Sequence, residues 1–145
     1  ENENIKIFIG DQTDEKFLKN IIQEIGHPNL ILDDGGHTSN QQISSFHYLF
    51  EEMQKEGMYL VEATHTSYNS KFQDREDKLT FVEYAKILSD ELNDWYRVKD
   101  YSSYKVQLES VPVSYWAENI YKITFYNSIV AFEKKSSQIP RSCIK

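Results

Sequence analysis

The stretch Asn29–Thr38 reads N-L-I-L-D-D-G-G-H-T, and the fold is decided there. Leu30, Ile31 and Leu32 form an apolar run too short for a core helix and suited to a strand buried on both faces. Asp33 and Asp34 stop it abruptly. Gly35 and Gly36 free the backbone to turn or to approach a ligand, and Thr38 or Ser39 can cap the next helix. Open α/β sheets place their ligands at the carboxyl ends of strands. Two acids, two glycines and His37 at such an end make a candidate site, against the plainer reading of a polar turn with a capping acid.

On the N-terminal side, Ile5–Gly10 (I-K-I-F-I-G) alternates weakly and predicts a strand, after a frayed Glu1–Asn4. Thr13 or Asp14 caps a helix whose face is Phe17, Leu18, Ile21, Ile22 and Ile25, with Gly26 and Pro28 closing it. On the other side Ile43, Phe46, Leu49, Phe50 and Met53 mark a second helix ending near Gly57, and Met58–Glu62 a third strand. Strand, helix, strand, helix, strand with short joints predicts parallel pairing through right-handed crossovers. Beyond it the pattern loosens. Asn69–Lys78 reads as a mobile polar loop and Leu79–Leu92 as a helix. Asp94–Trp116 is a loop or small insertion with Val106–Leu108 extended. Asn119–Tyr126 and Ser128–Glu133 flank a turn and predict a closing antiparallel hairpin, followed by a loose tail over Lys134–Lys145.

The 145 residues suit one domain with a real core. A net charge of −7, with no basic stripe, argues against nucleic-acid binding through phosphates. No apolar run is long enough for a membrane helix, and no charged-then-apolar leader opens the sequence. The single cysteine, Cys143, forms no internal disulfide, which fits a reducing, cytoplasmic setting. Three strand ends then carry polar groups: Gly10-Asp11-Gln12, Asp33–His37, and Glu62 followed by Thr64–Tyr68. On one sheet edge, Asp34 and Glu62 could share a hard cation through oxygen, with His37 close by as a base.

Three motifs, G-D-Q at Gly10–Gln12, L-D-D-G-G-H at Leu32–His37 and V-E-A-T-H-T-S-Y at Val61–Tyr68, are together similar to S-adenosylmethionine-dependent class I methyltransferases. The group they most resemble is the metal-dependent sugar O-methyltransferases of macrolide biosynthesis. Ile123–Lys135 resembles that group's closing hairpin, so the resemblance runs from Ile5 to Lys135. It implies a three-layer, Rossmann-like α/β sheet, mostly parallel, with a C-terminal antiparallel hairpin. It implies that Asp11 faces the adenine end of the cofactor, with Gln12 and Asp33 also at the cofactor, Asp33 through its backbone. Asp34 and Glu62 correspond to magnesium ligands and His37 to the general base. His65, Ser67 and Tyr68 line the active site, and a small-molecule acceptor, such as a sugar hydroxyl, is implied as substrate.

Two departures stand out. The acid that the family carries after the glutamate, a third metal ligand, is Ala63 here, whose methyl group coordinates nothing. The family's first strand, glycine-rich turn and acidic second strand have no counterpart. No G-x-G-x-x-G occurs, so residues 1–145 read as one N-terminally truncated domain. Without those strands Ile5–Ile9 pairs with Leu30–Asp33, exchanges with another chain, or leaves edges open, which invites homo-oligomers or a missing N-terminal half. The favoured function is methyl transfer to a hydroxyl. The alternatives are a non-catalytic fragment or partner-binding module, and, more weakly, a metal-dependent hydrolase. His27 and His47 read as surface or helix-face residues, and Tyr59, Tyr121 and Tyr126 as packing residues.

Overall fold

The computed structural model describes residues 5–96 and 113–138. The expectations for Glu1–Asn4, for Val106–Leu108 and for the end of the tail, including Cys143, lie outside the described residues. Helix α1 (Glu15–Ile25) starts where Asp14 accepts hydrogen bonds from the backbone N–H groups of Lys16 and Phe17. It stops at Gly26, whose φ of 80° suits a residue without a Cβ. Strand β1 is Leu30–Asp33. Helix α2 (Ser39–Glu52) opens with a reciprocal cap: the Gln41 backbone donates to the Thr38 hydroxyl, and the Thr38 backbone to the Gln41 side chain. Strand β2 is Met58–Val61, and 3-10 turns follow at Thr64–Tyr68 and Ser70–Phe72. Helix α3 (Phe81–Glu91) is capped by Thr80, and a short α4 (Tyr115–Asn119) leads into β3 (Ile120–Tyr126) and β4 (Ile129–Lys134).

The sheet order is β1-β2-β4-β3. β1 runs parallel to β2, with Leu30 beside Met58 and Asp33 beside Val61. β4 is antiparallel to both β2 and β3. The sheet is therefore mixed rather than mostly parallel. The reason is local: Ile5–Gly10, expected as a strand, joins no sheet, and Ile5, Ile7 and Ile9 are exposed. Its absence leaves β1 as an open edge, the last of the three outcomes foreseen.

One face of the sheet carries the core. Tyr59 and Val61 of β2 and Val130 and Phe132 of β4 meet Ile43, Phe46 and Phe50 of α2 and Phe81, Ala85 and Leu88 of α3. Phe46 is fully buried at the centre, its ring 4.3 Å from Phe132, 5.1 Å from both Phe50 and Tyr59, and 5.9 Å from Trp116. Each such pair adds about 0.5–1.5 kcal/mol beyond the area buried. The other face shows Leu30 and Leu32, 63% and 65% exposed. Helix α1 packs on α2 instead of covering it. Among the described residues the expected three layers are thus two, and β1 is covered on one face only. Tyr59 packs as expected, but Tyr121 and Tyr126 are exposed and do not.

Two segments are better anchored than their polarity suggested. The Asn69–Lys78 loop is tied down where Asp74 accepts from the Asn40 backbone at the start of α2 and Gln73 donates to the Ser67 carbonyl. Lys134, read from sequence as the start of a loose tail, ends β4 in the interior. Its Nζ donates to the carbonyls of Phe50, Glu51 and Met53 at 2.7–2.9 Å, filling the acceptors left open at the end of α2. Lys134→Met keeps much of the stem but leaves buried carbonyls unpaired. It is expected to cost about 2–3 kcal/mol, read as a lower urea midpoint at unchanged slope.

Candidate functional site

β1 and β2 end side by side, and their carboxyl ends carry the polar groups. The Glu62 N–H donates to the Asp33 carbonyl at 2.9 Å, extending the ladder by one residue. The Glu62 carbonyl accepts from the Gln42 amide of α2 at 3.0 Å. Asp33 lies on the core face, in register with Val61, so its carboxylate turns toward α2. One oxygen accepts from the Ser45 hydroxyl at 2.6 Å and the Tyr59 hydroxyl at 2.9 Å; the other accepts from the Gly35 N–H at 3.4 Å. Burial, with the Asp33 charge beside it, pushes the Tyr59 phenol well above its ordinary range, so it stays a donor.

Asp34 stands at the exposed rim. The hydrogen bond that a protonated Glu62 can donate to the neighbouring Asp34 raises the Glu62 carboxyl above its usual range, and the Asp34 charge adds to this. His37 and His65 pull the other way. Asp34, His37, Glu62 and His65 therefore share one electrostatic neighbourhood. The His37 ring has a buried Nδ1 without a hydrogen-bond partner, while its carbonyl accepts from the Thr66 hydroxyl at 2.9 Å. His65 is held by a 2.7 Å contact between Nδ1 and the Ser128 hydroxyl at the hairpin turn. Asp11 is exposed, and its carboxylate accepts from the Thr13 backbone and hydroxyl, which hold it below the usual carboxylate range. Gln12 reaches into the Asp33 loop; its amide oxygen accepts from the Gly36 N–H and its amide nitrogen lies 3.2 Å from the Ser45 hydroxyl. A groove of about 630 Å³ between α1 and α2, bordered by Lys19, His47, Glu51 and Arg75, touches none of Asp34, His37 or Glu62.

Ala63 follows Glu62 with φ 53° and ψ 28°, in the left-handed region, and is nearly buried. That conformation disfavours alanine and is tolerated better by Asp and Asn. Among the described residues no group of three or more His, Cys, Asp or Glu side chains is disposed to hold a metal ion. Asp34 and Glu62 supply two carboxylates and no third, so a magnesium ion held by them would keep more of its waters than one held by three.

No family profile matches the chain. It is 34% identical over 87 residues to the 8-demethyl-8-alpha-L-rhamnosyl tetracenomycin-C 2'-O-methyltransferase of Streptomyces olivaceus, covering 59% of this chain and 23% of that protein. It is 32% identical over 68 residues to the demethylmacrocin O-methyltransferase of Streptomyces fradiae, covering 47% of this chain and 17% of that one. With the mycinamicin VI 2''-O-methyltransferase of Micromonospora griseorubida it shares 34% over 64 residues, 44% of this chain and 16% of that enzyme. Among solved structures it superposes on the MycE methyltransferase of the mycinamycin pathway, in complex with Mg, SAH and mycinamycin VI. The TM-score is 0.73 at 25% identity, over 91% of this chain and 32% of that one. The fold matches that of a known methyltransferase, and the sequence likeness is to proteins named as O-methyltransferases. Over part of their length the chain is homologous to the macrolide sugar O-methyltransferases. The chain spans less than a quarter of the length of these curated relatives.

The sequence motifs located Asp34, His37 and Glu62, and the fold brings them to adjacent strand ends. Asp11 and Gln12 lie on the segment before α1, with Gln12 in the Asp33 loop and Asp11 turned to Thr13. The Asp33 side-chain network was not foreseen; its signal was the polar Ser45 beside Phe46 on the buried side of α2. Two outcomes are expected. Ala63→Asp adds the missing donor in a backbone conformation that Asp accepts, and should raise magnesium affinity in calorimetry; the unchanged chain should bind it weakly. Because the folded chain raises the Glu62 pKa, native protein holds more protons than unfolded just above the ordinary glutamate value, so this contribution to stability falls as pH rises. Glu62→Gln should flatten that fall in melting curves taken from pH 4 to 7.

Proposed function

We propose that the protein takes part in S-adenosylmethionine-dependent methyl transfer to a hydroxyl of a sugar-bearing small molecule. The observation that carries this reading is the convergence of Asp34, His37 and Glu62 at the ends of two adjacent parallel strands. The chain's likeness to enzymes named for sugar O-methylation supports it. Asp11, exposed and held below the usual carboxylate range by its Thr13 hydrogen bonds, is suited to accept from the amino group of adenine. S-adenosylmethionine, when bound, supplies an electrophilic methyl group and leaves its sulfur as a neutral thioether. Asp34 and Glu62 accept hydrogen bonds from neighbouring hydroxyls of the acceptor and orient it. His37 takes the proton from the reacting hydroxyl, so that its oxygen attacks the methyl carbon in line. Placement supplies most of the rate. The magnesium expected from the resemblance would have only the Asp34 and Glu62 carboxylates to hold it, and no step depends on it.

Methyl transfer to mycinamicin VI, the acceptor in the structural neighbour's complex, tests the reading. His37→Ala is expected to lower turnover by about a hundred- to ten-thousand-fold, the usual contribution of a positioned base. Unchanged turnover in that variant overturns it. Ala63 favours a second reading, a partner-binding module that keeps the fold without the chemistry. Leu30, Leu32 and the unpaired Ile5–Ile9 point the same way, since an open apolar edge seeks a partner. Light scattering is expected to find a species larger than a monomer, and a monodisperse monomer across concentrations would refute that association.

A further inference from the structure

We propose that Gln12 is a positioning residue. Its side-chain amide clamps the Asp33–His37 loop from outside the β1–α2 unit and thereby sets Asp34 and His37 against Glu62. The catalytic consequence, though not the clamp itself, rests on the methyl-transfer reading above.

Both ends of the Gln12 amide are committed to the loop. Its oxygen accepts from the Gly36 N–H. Its nitrogen lies 3.2 Å from the Ser45 hydroxyl, 3.4 Å from the Gln41 carbonyl and 3.5 Å from Asp33. The loop sequence fits around that side chain. A Cβ on Gly35 would come within 2.6 Å of the Gln12 amide oxygen, and one on Gly36 would run into the Gln41 amide. A side chain at either glycine would have to displace one of the two glutamine amides that now pack over the loop, at positions where neither glycine has a positive φ. Only an amide can serve this way. Glutamate has no donor and would set a second negative charge beside Asp33, and asparagine is one methylene short.

The clamp matters because of how His37 is held. A catalytic histidine is commonly oriented by a partner on its second ring nitrogen. Here Nδ1 is buried with no partner. The ring's direction is left to the backbone, which is tied on the far side by the Thr66 hydroxyl to the His37 carbonyl and on the near side by Gln12 to the Gly36 N–H. Asp34 lies between this clamp and Asp33, whose carboxylate is itself fixed by Ser45 and Tyr59. Gln12 thus acts on both site residues without touching either. This assigns its side chain to the loop, in place of the cofactor contact that the resemblance implied.

Gln12→Met, which keeps bulk and loses both hydrogen-bonding ends, tests this on the 145-residue chain by amide hydrogen exchange. The Gly36 amide is expected to exchange about tenfold faster, the loss of one ordinary hydrogen bond. Tyr59 and Val61 amides in β2 should be unchanged, which separates loosening of the loop from general unfolding. An unaltered Gly36 rate overturns the clamp. In methyl transfer to mycinamicin VI the same variant is expected to lower kcat about tenfold with the KM for S-adenosylmethionine within about twofold. A raised KM at unchanged kcat would overturn the proposal and return Gln12 to the cofactor. If Gly36 responds but the unmodified protein transfers no methyl group, the clamp stands and the methyl-transfer reading falls.

Discussion

The carboxylate of Asp33 is the constraint on which the rest of the site depends. It is a charged group turned toward the core face, and such a group is stable there only with its oxygens satisfied. Ser45 from α2, Tyr59 from β2, the Gly35 N–H and the Gln12 amide satisfy them. Hydrogen bonds to charged groups contribute about 1.5–3 kcal/mol each, and breaking one leaves the charge behind. The network therefore fixes the place where β1 ends, and with it the start of the loop that carries Asp34 and His37. Asp33 is the inward partner of the acid pair and Asp34 the outward one, a division set by the alternation of side chains along a strand.

Electrostatics at the outward face runs in the opposite sense. Asp34 and Glu62 are like charges brought together by strand pairing, and His37 and His65 offset part of the effect on Glu62. Ala63 sharpens this, for it takes a backbone conformation unsuited to it and contributes no polar group. Ala63 thus holds a methyl group in a left-handed conformation that Asp and Asn tolerate better.

Much of this was legible in sequence, because it rests on local rules. The break from Leu32 to Asp33, the caps at Asp14 and Thr38, and the hairpin around Tyr126–Ile129 each follow from the chemistry of a few neighbouring residues. The failures are those of tertiary context. Ile5–Ile9 has the composition of a strand, but a strand needs a partner, and the segment does not pair with the open edge of β1. Tyr121 and Tyr126 look like core residues by type yet fall at exposed positions of an edge strand. The loop through Asp74 looks mobile by polarity, and only the folded chain shows its carboxylate lying on the first turn of α2. Lys134 is the strongest case, since no sequence rule predicts a buried lysine whose partners are main-chain carbonyls from a helix far upstream.

That lysine also bears on how the chain reaches its fold. The contact between Lys134 and the end of α2 spans 84 residues. Contacts of such separation slow folding, because a large loop must close before the contact returns anything. On a ribosome adding about 5–20 residues per second, Phe50 precedes Lys134 by roughly 4–17 s. Throughout that interval the end of α2 has no cap from β4, and β2 lacks its antiparallel neighbour. The fold is consequently assembled backward, with the last strand completing a helix and a sheet begun much earlier, and the nascent chain passes through a stage in which its central strands have unpaired edges.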